Sequence, residues 1–390
     1  MANTTEGTGF LDRFFEVTKR GSTIWTEVRG GLVIFMTMVY IVILNPIIIA
    51  YNKDVDGNFI GGAAPNFAAV SAATALTAGV MTLLFALIAR LPFALAAGLG
   101  INSFLAVTMV KGVTWPEAMG LVVIDGIIIV ILAATGLRTM IFNAVPAALK
   151  TAITVGIGLF IAFIGFVDGG LVRRNEDAAN TPVPVNWGVG PDHMLGYPTL
   201  VFIVTVLVIA IMMALRVRGA ILFGLIIGTV LAIILEATLH IGGKFVDGKF
   251  VTPFGWDTTI PMIPNSIFAT PDLSTIGHVD LFGAFGRIGV MAGIMLVFTL
   301  VFSNFFDAMG TMTGLSKQAN LADAKGNFPR LTSALVVEGA GAIAGGLTST
   351  SSNTVYIESA SGIAGGARTG LATTVTGILF VLAAFLTPLT

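Results

Sequence analysis

The 390-residue chain has no cysteine, which excludes disulfide scaffolds, thiol catalysis, cysteine-ligated metals and lipid attachment through sulfur. Charge is scarce as well. Only 11% of residues are Asp, Glu, Lys or Arg, less than half of the roughly 25% with which a soluble domain covers its surface. With 20 Lys and Arg against 21 Asp and Glu, the net charge of −1 leaves no basic excess to hold nucleic acid and no acidic tail for a basic partner. The three histidines, His193, His240 and His278, fall in or beside polar stretches and show no ligand spacing, so neither a metal nor another cofactor is called for. What the chain has in abundance is apolar surface. A hydrophobic share of 55% and a mean hydropathy of +0.94 are the composition of an integral membrane protein.

A membrane span needs about 20 mostly apolar residues. The sequence supplies eight such stretches, near 30–51, 67–89, 117–136, 151–167, 198–215, 217–239, 288–306 and 370–388. Three more, near 91–110, 331–347 and 349–366, are apolar but rich in Gly, Ser and Thr; they read as interior or interrupted spans, giving eleven. The segment 1–29 holds Arg13, Lys19, Arg20 and Arg29 without a short apolar core and cleavage site, so it is an amphipathic lead-in rather than a signal peptide. With that end in the cytoplasm, thirteen Lys and Arg fall inside and seven outside, five of the seven in the long loops near 168–197 and 241–287. That asymmetry fits the positive-inside rule and places a multi-pass protein in the plasma (inner) membrane. The last apolar stretch, Leu379 to Leu389, has no polar stop behind it, as if further spans belonged after it.

Transporters are commonly built from inverted repeats, and a pair of Gly- or Ser-interrupted segments at matching positions is their sequence sign. Here the pair is Ala96-Ala97-Gly98-Leu99-Gly100-Ile101-Asn102 in the third span, and Thr348-Ser349-Thr350-Ser351-Ser352-Asn353-Thr354 leading to Glu358-Ser359-Ala360-Ser361-Gly362 in the tenth. Each is the third span of its half, so the design reads as a seven-plus-seven, all-α inverted repeat with spans 3 and 10 interrupted and only about eleven spans present. Backbone that leaves a helix at membrane depth must find polar partners within the protein, and half-helices ending there aim their dipoles at whatever lies between them.

Charged side chains inside a membrane cost about 2.5–3.5 kcal/mol on insertion scales and therefore mark function. Asp125, Asp307, Glu338 and Glu358 qualify. Asp307 and Glu358 lie within the two segments that a repeat would bring together. A carboxylate accepts from two adjacent N–H groups, the pattern on the edge of a planar heterocycle, and a desolvated carboxylate beside a like charge takes up a proton. This pair is the candidate for both substrate binding and proton coupling. For Asp125 and Glu338 an inter-helix hydrogen bond explains the residue equally well. Phe306, with its neighbours, offers a ring for stacking, and Asn102 and Asn353 are the polar side chains of the interrupted spans.

At these residues the sequence resembles the AzgA-like (azaguanine-resistance) purine permeases of the nucleobase-ascorbate transporter superfamily. The similarity runs through Thr26-Glu27-Val28-Arg29, Thr37-Met38-Val39-Tyr40, Asn45-Pro46, Ala97 to Asn102, Phe306-Asp307-Ala308-Met309-Gly310-Thr311, and Thr350 to Asn353 followed by Glu358 to Gly362. What the resemblance implies is a proton-coupled importer of guanine and hypoxanthine, or of adenine. It further implies a core domain (30–150, spans 1–4, and 288–390, spans 8–11) that carries substrate against a gate domain (151–240, spans 5–7), with 241–287 an extracytoplasmic loop and spans 12–14 missing. Asp307 and Glu358 match the acidic substrate positions and Asn102 the polar position of span 3; Phe306, Asn353 and Ser359 belong to the same stretches. Where relatives that carry xanthine or uracil have a second acidic residue in span 8, this chain has Thr311. A homodimer through the gate domain is a further partner the resemblance suggests. An anion carrier of the sulfate-permease type shares the architecture, but two interior carboxylates would repel its substrate. An enzyme is not indicated: the hydroxyls of Ser349-Thr350-Ser351-Ser352 have no His or Lys beside them.

Overall fold

The computed structural model describes residues 9–137, 196–215, 220–243, 266–323 and 328–389, with shorter pieces between 140 and 262. The span expected near 151–167 falls largely outside the described residues. The chain divides into two compact units, one of residues 1–154 with 266–390, the other of 155–265.

The larger unit begins with a short helix, α1 (Phe10–Phe15), and then α2 (Ile24–Met38) and α3 (Ile41–Ile49). The first span is thus two helices that meet at Val39–Tyr40 rather than one. Thr37 bonds back to the carbonyls of Val33 (3.0 Å) and Ile34 (2.9 Å), a back-bond that bends helices. Pro46 further on has no N–H for the carbonyl of Val42, and Ser71 Oγ donates to that carbonyl instead at 2.9 Å.

Next come α4 (Phe67–Ile88), β1 (Leu95–Ala97), α5 (Leu99–Val107) and α6 (Trp115–Ala134). The smaller unit contributes the hairpins β2 (Val172–Arg174) with β3 (Pro182–Pro184) and β4 (Phe245–Val246) with β5 (Lys249–Phe250), and the mutually packed helices α7 (Tyr197–Ala214) and α8 (Ala220–Leu239). The larger unit resumes with α9 (Gly283–Ile288), α10 (Val290–Gln318), α11 (Leu331–Leu347), β6 (Asn353–Val355), α12 (Ser359–Ala364) and α13 (Gly370–Ala383). The run helix, strand, short helix, helix therefore occurs twice, as α4-β1-α5-α6 and α11-β6-α12-α13. The two runs interlock, α11 packing on α6 and α13 on α4.

At the crossing, β1 and β6 pair antiparallel, with Leu95 opposite Val355, Ala96 opposite Thr354 and Ala97 opposite Asn353. This two-stranded element, three residues on each side in an otherwise helical unit, is what interrupts spans 3 and 10. The physical reason is that strand pairing satisfies the backbone of both broken spans at a depth where water cannot. Thr82 completes it: its Oγ1 donates to the carbonyl of Leu95 and accepts from that residue's N–H, both at 3.0 Å. Gly98 N–H donates to the Ser352 carbonyl at 2.8 Å. Close passage of α11 demands glycine, since a Cβ on Gly345 would overlap the Ser351 carbonyl oxygen.

Two sequence expectations are refined. The Gly-rich stretch 331–347 is one continuous helix with Val337, Glu338, Gly341, Ala342, Gly345 and Gly346 buried, an interior span whose glycines serve packing rather than a break. The eighth span runs on as helix to Gln318, so its polar second half, Ser303 to Gly314, stays helical because it faces protein. Among the described residues, five helices are long and apolar enough to cross a membrane.

Candidate functional site

The strand pair ends where both short helices begin. α5 follows β1 directly, and α12 follows β6 after Tyr356, Ile357 and Glu358. The bend in the first span delivers Tyr40 to this point, where its hydroxyl donates to Glu358 Oε1 at 2.6 Å. Thr37 Oγ1 shares a hydrogen bond with Ser361 Oγ at 2.9 Å, so the first span and α12 are tied twice. Asp307, midway along α10, lies within Coulombic range of both Glu358 and Glu338. The hydroxyl of Tyr356 donates to the Ala97 carbonyl, and its electrostatic neighbours are Tyr40, Glu358 and Asp307. Two carboxylates and two phenols thus share one neighbourhood beside the strand crossing.

The sequence candidates separate into two groups. Asp307, Glu358 and Thr311 are half-buried, whereas Asn102, Phe306, Asn353 and Ser359 are buried. Ser359 Oγ accepts from Ala94 N–H at 3.0 Å, holding α12 against the entry to β1. Phe306 packs edge-on against Phe302 and Phe305, centroids 4.6 and 4.9 Å away, within the apolar core. Asn353 Nδ2 points to Thr350 Oγ1 and the Ser351 carbonyl at 3.5 and 3.4 Å.

Asn102 is held by Asn45: its Nδ2 donates to Asn45 Oδ1 at 2.6 Å, and Asn45 Nδ2 donates to Thr74 Oγ1 (2.8 Å) and the Thr350 carbonyl (3.1 Å). On the other flank Asn304 Nδ2 donates to Asp125 Oδ2 (3.1 Å) and Ser352 Oγ (2.9 Å). Asp125 thus accepts an inter-helix hydrogen bond from α10, and the same amide reaches Ser352 just before β6. These amides brace the segment 349–353, whose Ser349 and Ser351 adopt positive φ of 57° and 69°, a conformation that costs non-glycine residues and persists only where surroundings enforce it.

Sequence reasoning missed Tyr40 as a member of the site, although Thr37 to Tyr40 stood within the stretches of resemblance. No periodicity predicts the Val39–Tyr40 break, and the partner is 318 residues away. Away from this neighbourhood, a hollow of about 310 Å³ lined by Asp54, Asn58, Thr114, Ser274 and His278 shares no residue with it.

Paired broken spans crossing through short strands, with carboxylates beside the crossing, define a multi-pass membrane transporter of the seven-plus-seven inverted-repeat fold. Solved structures agree on the fold: the transmembrane domain of the cyanobacterial bicarbonate transporter BicA matches 92% of this chain and 82% of its own at 13% identity (TM-score 0.57), and SLC26A9 matches 94% of this chain and 55% of its own at 12% identity (TM-score 0.51). The Permease family profile matches residues 26–390, and the chain belongs to that family, the nucleobase-ascorbate transporters. Its relatives include the adenine permease AdeP of Escherichia coli (strain K12), 35% identical over 99% of this chain and 77% of the relative. The guanine/hypoxanthine permease PbuG of Bacillus subtilis (strain 168) is 34% identical over 97% of this chain and 79% of its own length.

Proposed function

We propose that this protein imports purine nucleobases by proton symport, with Asp307 and Glu358 as the groups that hold both substrate and proton. The observation that carries the reading is the Tyr40–Glu358 hydrogen bond beside Asp307. One oxygen of Glu358 is committed to the phenol, which fixes the carboxylate and leaves its second oxygen to accept from a purine N–H. The relatives named for adenine and for guanine and hypoxanthine support a purine over the anion of a sulfate-type carrier, as does the negative character of the site. Thr311 in place of a second acidic residue agrees with adenine, guanine or hypoxanthine over uracil or xanthine.

In this reading the core domain, 30–150 with 288–390, carries the base past the gate domain, 151–240, by alternating access, and the N-terminus is cytoplasmic. Two carboxylates in one desolvated neighbourhood repel each other when both are ionised; uptake of a proton relieves that repulsion and prepares the pair for a neutral base. Accumulation of labelled hypoxanthine or adenine in cells expressing the chain tests the coupling. Collapse on addition of a protonophore, with indifference to sodium, is the expected result; loss on removal of sodium with indifference to the protonophore would refute proton symport. Competition by unlabelled guanine, hypoxanthine, adenine, xanthine and uracil then fixes the base.

A further inference from the structure

The C-terminal end of α4 gathers more positive charge than the fold uses. Arg20 Nη1 donates to the carbonyls of Arg90 (2.8 Å) and Arg368 (3.3 Å), and its Nη2 pairs with Glu16 at 3.1 Å. Arg330 Nη1 donates to the Ile88 carbonyl at 3.1 Å. These bonds cap a helix C-terminus, which carries only about half a negative charge. Arg90 itself, at positive φ (55°) just beyond that terminus, caps nothing. Its guanidinium lies over the Phe14 ring, 3.9 Å from the centroid, and its Nε is out of solvent without an acceptor. The neighbouring charges that act on it are Arg330 and Arg20, both repulsive, and Glu16. Glu16, the one carboxylate that acts on Arg90, is already bonded to Arg20 and receives Lys19 at 3.2 Å.

The surroundings are apolar and open. Leu84, Leu87 and Ile88, at helical spacing on α4, are 40–46% exposed and lead along the helix to Arg90. Phe10, 79% exposed, stacks on Phe14 at 6.0 Å on the other flank. A cationic cluster at the end of an exposed apolar stripe, with an aromatic shelf beside it, matches the build of an anionic phospholipid: a phosphate for the guanidiniums and an acyl chain for the leucines and Ile88.

We propose that Arg90 and Arg330 form a binding site for the headgroup phosphate of an anionic phospholipid, with the acyl chain lying along Leu84, Leu87 and Ile88. Bidentate Arg–phosphate bonds would use the donors that Arg90 leaves idle and relieve its repulsion with Arg330.

Native mass spectrometry of the purified full chain, incubated in detergent with phosphatidylglycerol or with phosphatidylcholine, tests this. The wild-type chain should retain phosphatidylglycerol preferentially. An Arg90→Gln/Arg330→Gln variant should lose about thirtyfold in apparent affinity for it, the combined effect of two interfacial arginines. Arg20 is left in place because its bonds are structural. If the double variant is not recovered monodisperse, Arg90→Gln alone, which removes no capping bond, is measured, with a loss of about fivefold expected. Equal retention of phosphatidylglycerol by variant and wild type, or equal retention of phosphatidylcholine and phosphatidylglycerol by the wild type, would overturn the proposal. So would displacement of bound phosphatidylglycerol by millimolar inorganic phosphate, which would assign the arginines to a soluble anion.

Discussion

Replacing Tyr40 by Phe removes one oxygen and leaves the ring in place, and its effect can be bounded from the structure. The hydroxyl donates to Glu358 Oε1 at 2.6 Å, and a hydrogen bond to a charged group contributes about 1.5–3 kcal/mol. That whole amount would fall on purine binding only if the phenol contacted the base itself. In the present account it acts through Glu358, so what binding loses is the cost of immobilising a freed carboxylate, about 0.5–1.5 kcal/mol for a rotamer-rich side chain, or roughly two- to tenfold in Kd. Equilibrium binding of labelled adenine and hypoxanthine to purified Tyr40→Phe, with thermal unfolding measured alongside, reads the effect. Wild-type affinity would show that the bond has no part in binding. A loss as large as that caused by removing the Glu358 charge would place the phenol on the substrate and refute the positioning role.

Asp307→Asn should retain exchange of labelled for unlabelled base across the membrane but lose protonophore-sensitive accumulation; loss of both together would make Asp307 a binding residue alone. Thr82→Val leaves the N–H and carbonyl of Leu95 without the hydroxyl that serves both, at about 1–3 kcal/mol for each orphaned group, so unfolding should begin several degrees lower, with recovery in Thr82→Ser. Gly345→Ala should be worse, because its Cβ meets the Ser351 backbone rather than a side chain that can turn away; a monodisperse variant with wild-type unfolding temperature would contradict the close passage of α11.

The membrane class, the positions of most spans and the two broken ones were legible because apolar length and Gly- or Ser-interruption are local signals. Asp307 and Glu358 stood out for the same reason: a carboxylate in an apolar run is conspicuous wherever it lies. The strand pair was not legible, since Leu95-Ala96-Ala97 and Asn353-Thr354-Val355 are three residues each and show no alternation. Their extended form is imposed by each other and by Thr82. Nor could the sequence tell which polar residues brace and which face the site. Asn102 and Asn45 looked like Glu358 in kind, and their hydrogen bonds to each other and to the 350 carbonyl join segments too far apart in the chain for sequence to pair. Tyr40 was hidden because a break two residues wide within an otherwise apolar span leaves no trace in hydropathy.

The central claim, that a purine sits against Glu358 beside Asp307, is tested most directly by equilibrium binding of labelled hypoxanthine and adenine to Glu358→Gln with Asp125→Asn as its partner measurement. The glutamine keeps shape and one acceptor but sets an NH₂ where a purine N–H should donate. Affinity should therefore fall about ten- to a hundredfold, the worth of a lost charged hydrogen bond, while Asp125→Asn, which touches the amide of Asn304, stays near wild type. Near-normal binding by Glu358→Gln with abolished binding by Asp125→Asn would put the substrate on the other side of the strand crossing and contradict the account.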